Sequence, residues 1–171
     1  EDDPKLWASG YDIPARRDGR VLTREIETGL PAGMSALAFN TRRPVFQDPR
    51  VRRGLLLLFN FEWVNKTLYH GLYKRTESFF ERSYLSSAGK PADARERALL
   101  ATFPSAVRED VLEGRFALPK SDGSGQNRDS QKAAFELLKN AGYTLKDGVL
   151  IDAATGKPLT FEILAHNGVQ Q

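Results

Sequence analysis

The apolar positions of this chain fall into a few short runs with distinct periods. Residues 34–39 (MSALAF) place small and apolar side chains on both alternating faces, as in a strand covered on both sides. Residues 40–44 break that run. Asp48 and Pro49 then open a helix: the carboxylate accepts orphan amide hydrogens, and proline suits the first helical position. Val51, Leu55, Leu58 and Phe59 recur on one face of it. Asn60 is placed to cap a second helix with Glu62 in its first turn and Gly71 at its end, turning Trp63, Val64 and Leu68 toward a core. Residues 21–26 alternate loosely and predict an edge strand.

Further on, residues 92–100 and 107–113 read as helices, the second ended by Gly114. The strongest helix begins at Asp129 or Ser130. Its Ala134, Leu137, Leu138 and Ala141 keep the i, i+3, i+4, i+7 spacing, and Gly142 stands where a left-handed residue ends a helix. Residues 149–151 and 159–164 predict a half-exposed antiparallel hairpin around residues 152–156. Residues 1–20 are irregular, with Trp7 and Tyr11 as anchors. Residues 28–33, 72–85 and 114–127 keep no period and read as loops. The fold class expected is mixed α/β, a sheet-and-helix layer. It looks unfinished, because residues 159–164 are apolar enough to need a neighbour on their far edge.

Composition narrows this modestly. A chain of 171 residues with 40% hydrophobic and 27% charged positions is long enough for one folded domain and unlike a disordered chain. No run approaches the length needed to span a bilayer. The absence of cysteine excludes thiolate metal sites, thiol nucleophiles and disulfides. The chain starts at Glu1-Asp2-Asp3-Pro4 without a signal-peptide pattern and stops directly after an expected strand, so it reads as a piece of a longer protein.

Charge is the next feature. Between Met34 and Arg75 eight basic side chains (Arg42, Arg43, Arg50, Arg52, Arg53, Lys66, Lys74, Arg75) face two acidic ones, Asp48 and Glu62. One reading is a basic interaction or nucleic-acid-binding module running from Arg42 to Arg75. The other is a solvated face whose carboxylate partners lie elsewhere, since Arg50, Arg52 and Arg53 point different ways around a helix. The net charge of +3 is small for nucleic-acid binding, and no helix-turn-helix, RNA-recognition motif or zinc finger is present. Residues 73–84 combine aromatic rings with Arg75, Thr76 and Ser78. They fit a recognition surface or a loop tethered by Phe79 and Phe80. Residues 122–127 lack the acidic spacing of a calcium loop and read as a turn. His70 and His166 are far apart and belong to no catalytic or metal pattern. No catalytic residue, metal site or cofactor is expected.

The stretch FNTRRPVFQDPRVRRGLLLLFNFEWVNK resembles the signature region of the extracellular solute-binding proteins, family 5, of ABC transporters. The matching features are Phe39-Asn40, the turn Pro44-Val-Phe46, Asp48-Pro-Arg-Val-Arg52 opening a helix, and Asn60 at the next. The later order agrees: Gly71-Leu-Tyr-Lys-Arg-Thr76, Leu137-Leu-Lys-Asn-Ala-Gly-Tyr143 and residues 159–164. Trp7-Ala-Ser-Gly-Tyr-Asp12, residues 73–80 and Asp122-Gly-Ser-Gly125 look like the oligopeptide and microcin C importers within that family.

This resemblance implies a partial lobe of a two-lobed periplasmic-binding-protein-like fold of the class II type. Residues 1–32 would lead into the lobe, and residues 33–171 would form part of the second lobe. It implies a peptide ligand held between lobes and ABC permease subunits in the membrane as partners. It also implies a periplasmic or otherwise extracytoplasmic location, a monomeric full-length protein, no nucleic acid and no enzymatic activity. By position, the ligand-binding residues would be Met34 and Ser35, His166 and Asn167, with Tyr73 and Arg75 from the aromatic loop. Met34 and Ser35 are less aromatic than their counterparts in oligopeptide binders, so peptide preference does not carry over.

Overall fold

The computed structural model describes residues 3–165. Its helices are α1 (Pro14–Arg17), α2 (Pro49–Leu58), α3 (Phe61–Leu68), α4 (Ala94–Leu100), α5 (Glu109–Leu112) and α6 (Arg128–Asn140). Short helical turns cover Leu6–Gly10 and Pro44–Phe46, and the strands are β1 (Tyr143–Lys146) and β2 (Val149–Asp152). The chain divides into two units. One takes the residues up to Ala36 together with Phe61–Lys120, and the other takes Leu37–Asn60 and the residues from Ser121 onward.

In the second of these, α2 packs along α6. The start of α2 forms as its sequence predicts: the Asp48 carboxylate accepts the Arg50 N–H at 2.7 Å, and Pro49 fills the first turn. Val51 on α2 and Ala134 and Leu138 on α6 are buried. Gly54 allows the approach: a Cβ there would stand 3.2 Å from Leu138 Cγ and 3.3 Å from the Ala134 carbonyl oxygen. The burying face of α2 therefore runs through Val51, Gly54 and Leu55. The expected Leu58 and Phe59 are 48% and 47% exposed. Helix α6 ends as expected, with Gly142 left-handed at φ 99°.

The hairpin differs from expectation. Tyr143–Lys146 pairs antiparallel with Val149–Asp152, register Tyr143 to Asp152, through a tight turn at Asp147 and Gly148, both at positive φ. Aspartate followed by glycine is a strong two-residue turn signal. Residues 159–164 join only at their start: Pro158 bridges Ile151, and the Leu159 N–H donates to the Leu150 carbonyl at 2.8 Å. Residues 21–26 and 34–39 carry no strand pairing among the described residues. Alternation prepares a backbone for a ladder, but only a neighbouring strand completes one. Phe46 is buried between two rings of this unit, 5.2 Å from Phe39 and 5.5 Å from Phe161.

In the other unit, α4 starts with a capping box. Asp93 accepts from the Glu96 N–H, and the Glu96 side chain accepts from the Asp93 N–H. Arg97 reaches from α4 to the Leu112 carbonyl at 2.9 Å, and that same carbonyl accepts the Ala92 N–H at 2.8 Å. Gly114, at φ 66°, lies against the Lys90–Pro91 backbone so closely that a Cβ would fall 2.5 Å from the Lys90 carbonyl carbon. Helix α3 keeps Val64 half-buried, but the expected core residues Trp63 and Leu68 are 40% and 57% exposed.

Candidate functional site

The stretch after α3 shows how a loop without sequence periodicity becomes ordered. Asn65, on α3, grips Tyr73 by both main-chain groups. Its Nδ2 donates to the Tyr73 carbonyl at 2.7 Å, and its Oδ1 accepts the Tyr73 N–H at 3.0 Å. The Asn65 carbonyl also accepts the Gly71 N–H at 2.9 Å. An amide side chain here takes the place of a neighbouring strand. The Tyr73 ring, 45% exposed, tilts against Tyr69 with centroids 4.7 Å apart.

Two residues on, Arg75 turns inward. Its Nη1 donates to the Pro119 carbonyl at 2.7 Å, and its guanidinium stands 5.8 Å from the centre of the Phe61 ring. Burial holds its pKa below the ordinary arginine value, against the opposing fields of Glu62 and Glu77. Glu77 extends the same seam by accepting the Leu118 N–H at 3.1 Å.

Beyond it the chain closes on itself. Buried Ser78 is saturated: its hydroxyl donates to the Phe79 carbonyl at 2.8 Å, accepts the Ser87 N–H at 3.0 Å and lies 2.9 Å from the Ser87 hydroxyl. Ser83 accepts the Leu85 N–H and donates to the Phe80 carbonyl, and Lys90 donates to the Tyr84 carbonyl. The result is a compact loop with its ends joined. It displays Phe79, Phe80, Tyr84 and Leu85, exposed at 74%, 55%, 87% and 52%. Phe80 and Arg82 both adopt left-handed conformations, at φ 57° and 67°. For a bulky non-glycine residue that is an outlier worth tracing to a function.

Of the expected ligand-binding residues, Tyr73 and Arg75 share this wired stretch. Met34 and Ser35 are exposed and belong to the same unit. They follow Ala32 closely, whose N–H donates to the Glu81 carbonyl at 2.7 Å, so the segment before them is tied to the same loop. His166 and Asn167 lie outside the described residues. The sequence pattern does not single out Asn65, Glu77, Glu81 or Ser87, and it puts Ser78 on a recognition surface, where the structure buries it among internal hydrogen bonds. A loop carrying several serines and glutamates without a helical period was the available sign, because such side chains cap backbone groups locally.

Three of the eight basic side chains, Arg50, Arg52 and Arg75, donate to the protein's own oxygens. Arg50 binds Asp48 and donates to the Asn140 carbonyl at 2.6 Å, while Arg52 donates to the Phe46 and Gln47 carbonyls. The second unit holds a separate open cavity of about 260 Å³ lined by Pro44, Val45, Tyr143, Asp152, Lys157 and Leu159 among others. Burial raises the Tyr143 pKa, with smaller contributions from Asp152 and Asp48.

The stretch is a loop tied by side chains to flanking segments, with aromatic rings outward. Comparison with known proteins decides the family. The family described as bacterial extracellular solute-binding proteins, family 5 Middle, matches residues 6–171. The chain belongs to the family 5 solute-binding proteins. Membership brings the periplasmic-binding-protein-like fold, of which this chain forms a part.

Among similar proteins, one of Brucella suis, named as a binding protein, is 53% identical over 98% of this chain. The peptidoglycan-binding protein YepA of Agrobacterium fabrum is 40% identical over 99% of the chain. A protein of the same organism named "Probable peptide-binding protein YejA" is 36% identical over 92%. The chain spans about a quarter of the length of these relatives, covering 27%, 27% and 26% of them. No helix among the described residues is long and apolar enough to cross a membrane.

Proposed function

We propose that this chain is part of the substrate-binding component of an ABC importer. That component captures peptides or peptide conjugates between two lobes, outside the cytoplasmic membrane, and delivers them to a membrane permease. The observation that carries this reading is the family match over residues 6–171, supported by the similarity to relatives named for binding peptidoglycan and peptide. Residues 1–32 lead into the lobe and residues 33–171 contribute part of it. The full-length protein works as a monomer in the periplasm, without a cofactor or a catalytic step.

Met34 and Ser35, Tyr73 and Arg75, and His166 and Asn167 are the residues assigned to the ligand-facing surface. Tyr73 contributes ring area. Arg75, already bonded to Pro119, contributes through the orientation of the loop as well as through its charge. The peptide class is proposed to include peptidoglycan stem peptides, because the relative at 40% identity is named for peptidoglycan binding. A nucleic-acid module built on the basic cluster has less support, since Arg50, Arg52 and Arg75 donate to carbonyls of the chain itself.

A thermal-shift series on the full-length protein separates these readings. Trialanine, a pentapeptide and the stem tripeptide of peptidoglycan are the probes. A rise in melting temperature with one or more of them is the expected result. A protein unshifted by every peptide that retards DNA in a salt-dependent manner would reverse the assignment.

A further inference from the structure

Glu81 joins two segments of this unit at once. Its Oε2 accepts two consecutive main-chain N–H groups, those of Glu77 at 3.1 Å and Ser78 at 3.0 Å. Consecutive amides converging on one oxygen form a nest suited to an anion. Here the anion comes from within the chain. The Glu81 carbonyl meanwhile accepts the Ala32 N–H at 2.7 Å. One residue therefore holds residues 77–78 through its side chain and Ala32 through its main chain. The residues on either side of it, Phe80 and Arg82, are both left-handed.

We propose that Glu81 is the positioning residue that holds Met34 and Ser35 in fixed register with Tyr73 and Arg75. The inference rests on the reading of those four residues as ligand-facing. Arg75 is separated from the nest at residues 77–78 by Thr76 alone, and Met34 and Ser35 follow Ala32 after Gly33. Ionised carboxylate acceptors make hydrogen bonds roughly twice as strong as neutral ones, so a glutamine at this position keeps the geometry with a weaker hold. Alanine empties the nest while leaving the carbonyl that Ala32 uses.

The test is amide hydrogen exchange on the full-length protein, comparing wild type, Glu81→Gln and Glu81→Ala, each with and without added acetate, alongside calorimetric titration with trialanine and the stem tripeptide of peptidoglycan. In Glu81→Ala, exchange at Glu77, Ser78 and also Ala32 accelerates, by about tenfold, as local opening becomes easier. Glu81→Gln lies between that and wild type, and acetate restores part of the protection in Glu81→Ala only. Peptide affinity falls in the same order.

Unchanged exchange at Ala32 in Glu81→Ala would overturn the coupling. So would wild-type affinity in that variant, given a wild-type protein that binds either probe. A wild type that binds neither probe counts against the peptide reading alone. The exchange pattern then decides the role of Glu81 by itself.

Discussion

Asn65 and Tyr73 are joined by a reciprocal pair of hydrogen bonds, side-chain amide to main chain, at 2.7 and 3.0 Å. The pair fixes the point where α3 hands over to the aromatic loop. Asn65→Ala breaks both bonds. Because the pair is exposed, the expected cost is at the lower end for two hydrogen bonds, about 1 kcal/mol. Amide exchange at Tyr73 should accelerate while exchange in α6 stays unchanged. Asn65→Asp keeps the acceptor for the Tyr73 N–H but turns a carboxylate oxygen toward the Tyr73 carbonyl, so it should recover little of the loss.

Two glycines have different reasons to resist substitution. At Gly114 an added Cβ meets main-chain atoms of Lys90 and Pro91 at a positive φ, and backbone cannot step aside. Gly114→Ala should cost at least about 2 kcal/mol in denaturant unfolding. At Gly54 the contacts are looser and alanine gains about 1 kcal/mol of helix propensity over glycine. Its neighbours, however, are the Ala134 carbonyl and the fully buried Leu138. Gly54→Ala should still destabilise, by about 1 kcal/mol. A stabilised Gly54→Ala would show that α2 and α6 separate freely.

Asp48 carries a pH-dependent element. The Arg50 guanidinium bonded to it, together with the Arg50 N–H, lowers its pKa from the ordinary 3.8. A carboxylate depressed in the folded state stabilises above its unfolded pKa, and the contribution is lost as pH falls through the folded value. Unfolding followed below pH 4 should therefore show the wild type losing stability faster than Asp48→Asn. Above pH 5 the variant should be the less stable protein, with a constant deficit. Equal slopes in acid would show that the cap is not ionised.

Some of this architecture could be read from the chain and some could not. The start of α2 was legible because Asp48, Pro49 and the Arg50 amide are neighbours in sequence. Helix α6 was legible because Ala134 and Leu138 repeat within one element. The roles of the arginines were hidden: Arg50 finds its carbonyl 90 positions away at Asn140, and Arg75 finds Pro119 44 positions away. Charge counting cannot see acceptors on the main chain. Strands expected at residues 21–26 and 34–39 failed for a related reason, since pairing is a property of two segments. The turn at Asp147 and Gly148 was local and visible, yet the longer apolar run at 159–164 drew the hairpin to itself.

Within the candidate site, Tyr73 and Arg75 differ in what their removal does. Tyr73→Ala should weaken peptide binding by about 1–2 kcal/mol and lower the melting temperature only slightly, since the exposed part of the ring gives contact area to a ligand and the fold loses only its packing on Tyr69. Arg75→Ala should lower both, because it leaves the Pro119 carbonyl without its donor. The double variant with wild-type peptide affinity would remove this loop from the site.

The central claim is that the chain belongs to a protein that holds peptides. Native mass spectrometry of the full-length protein, purified without added ligand, addresses it most directly. The expected result is a bound mass that fragments into a peptide or a peptidoglycan stem peptide and is displaced by an excess of the stem tripeptide. A protein carrying a non-peptide solute that neither trialanine nor the stem tripeptide displaces would contradict it.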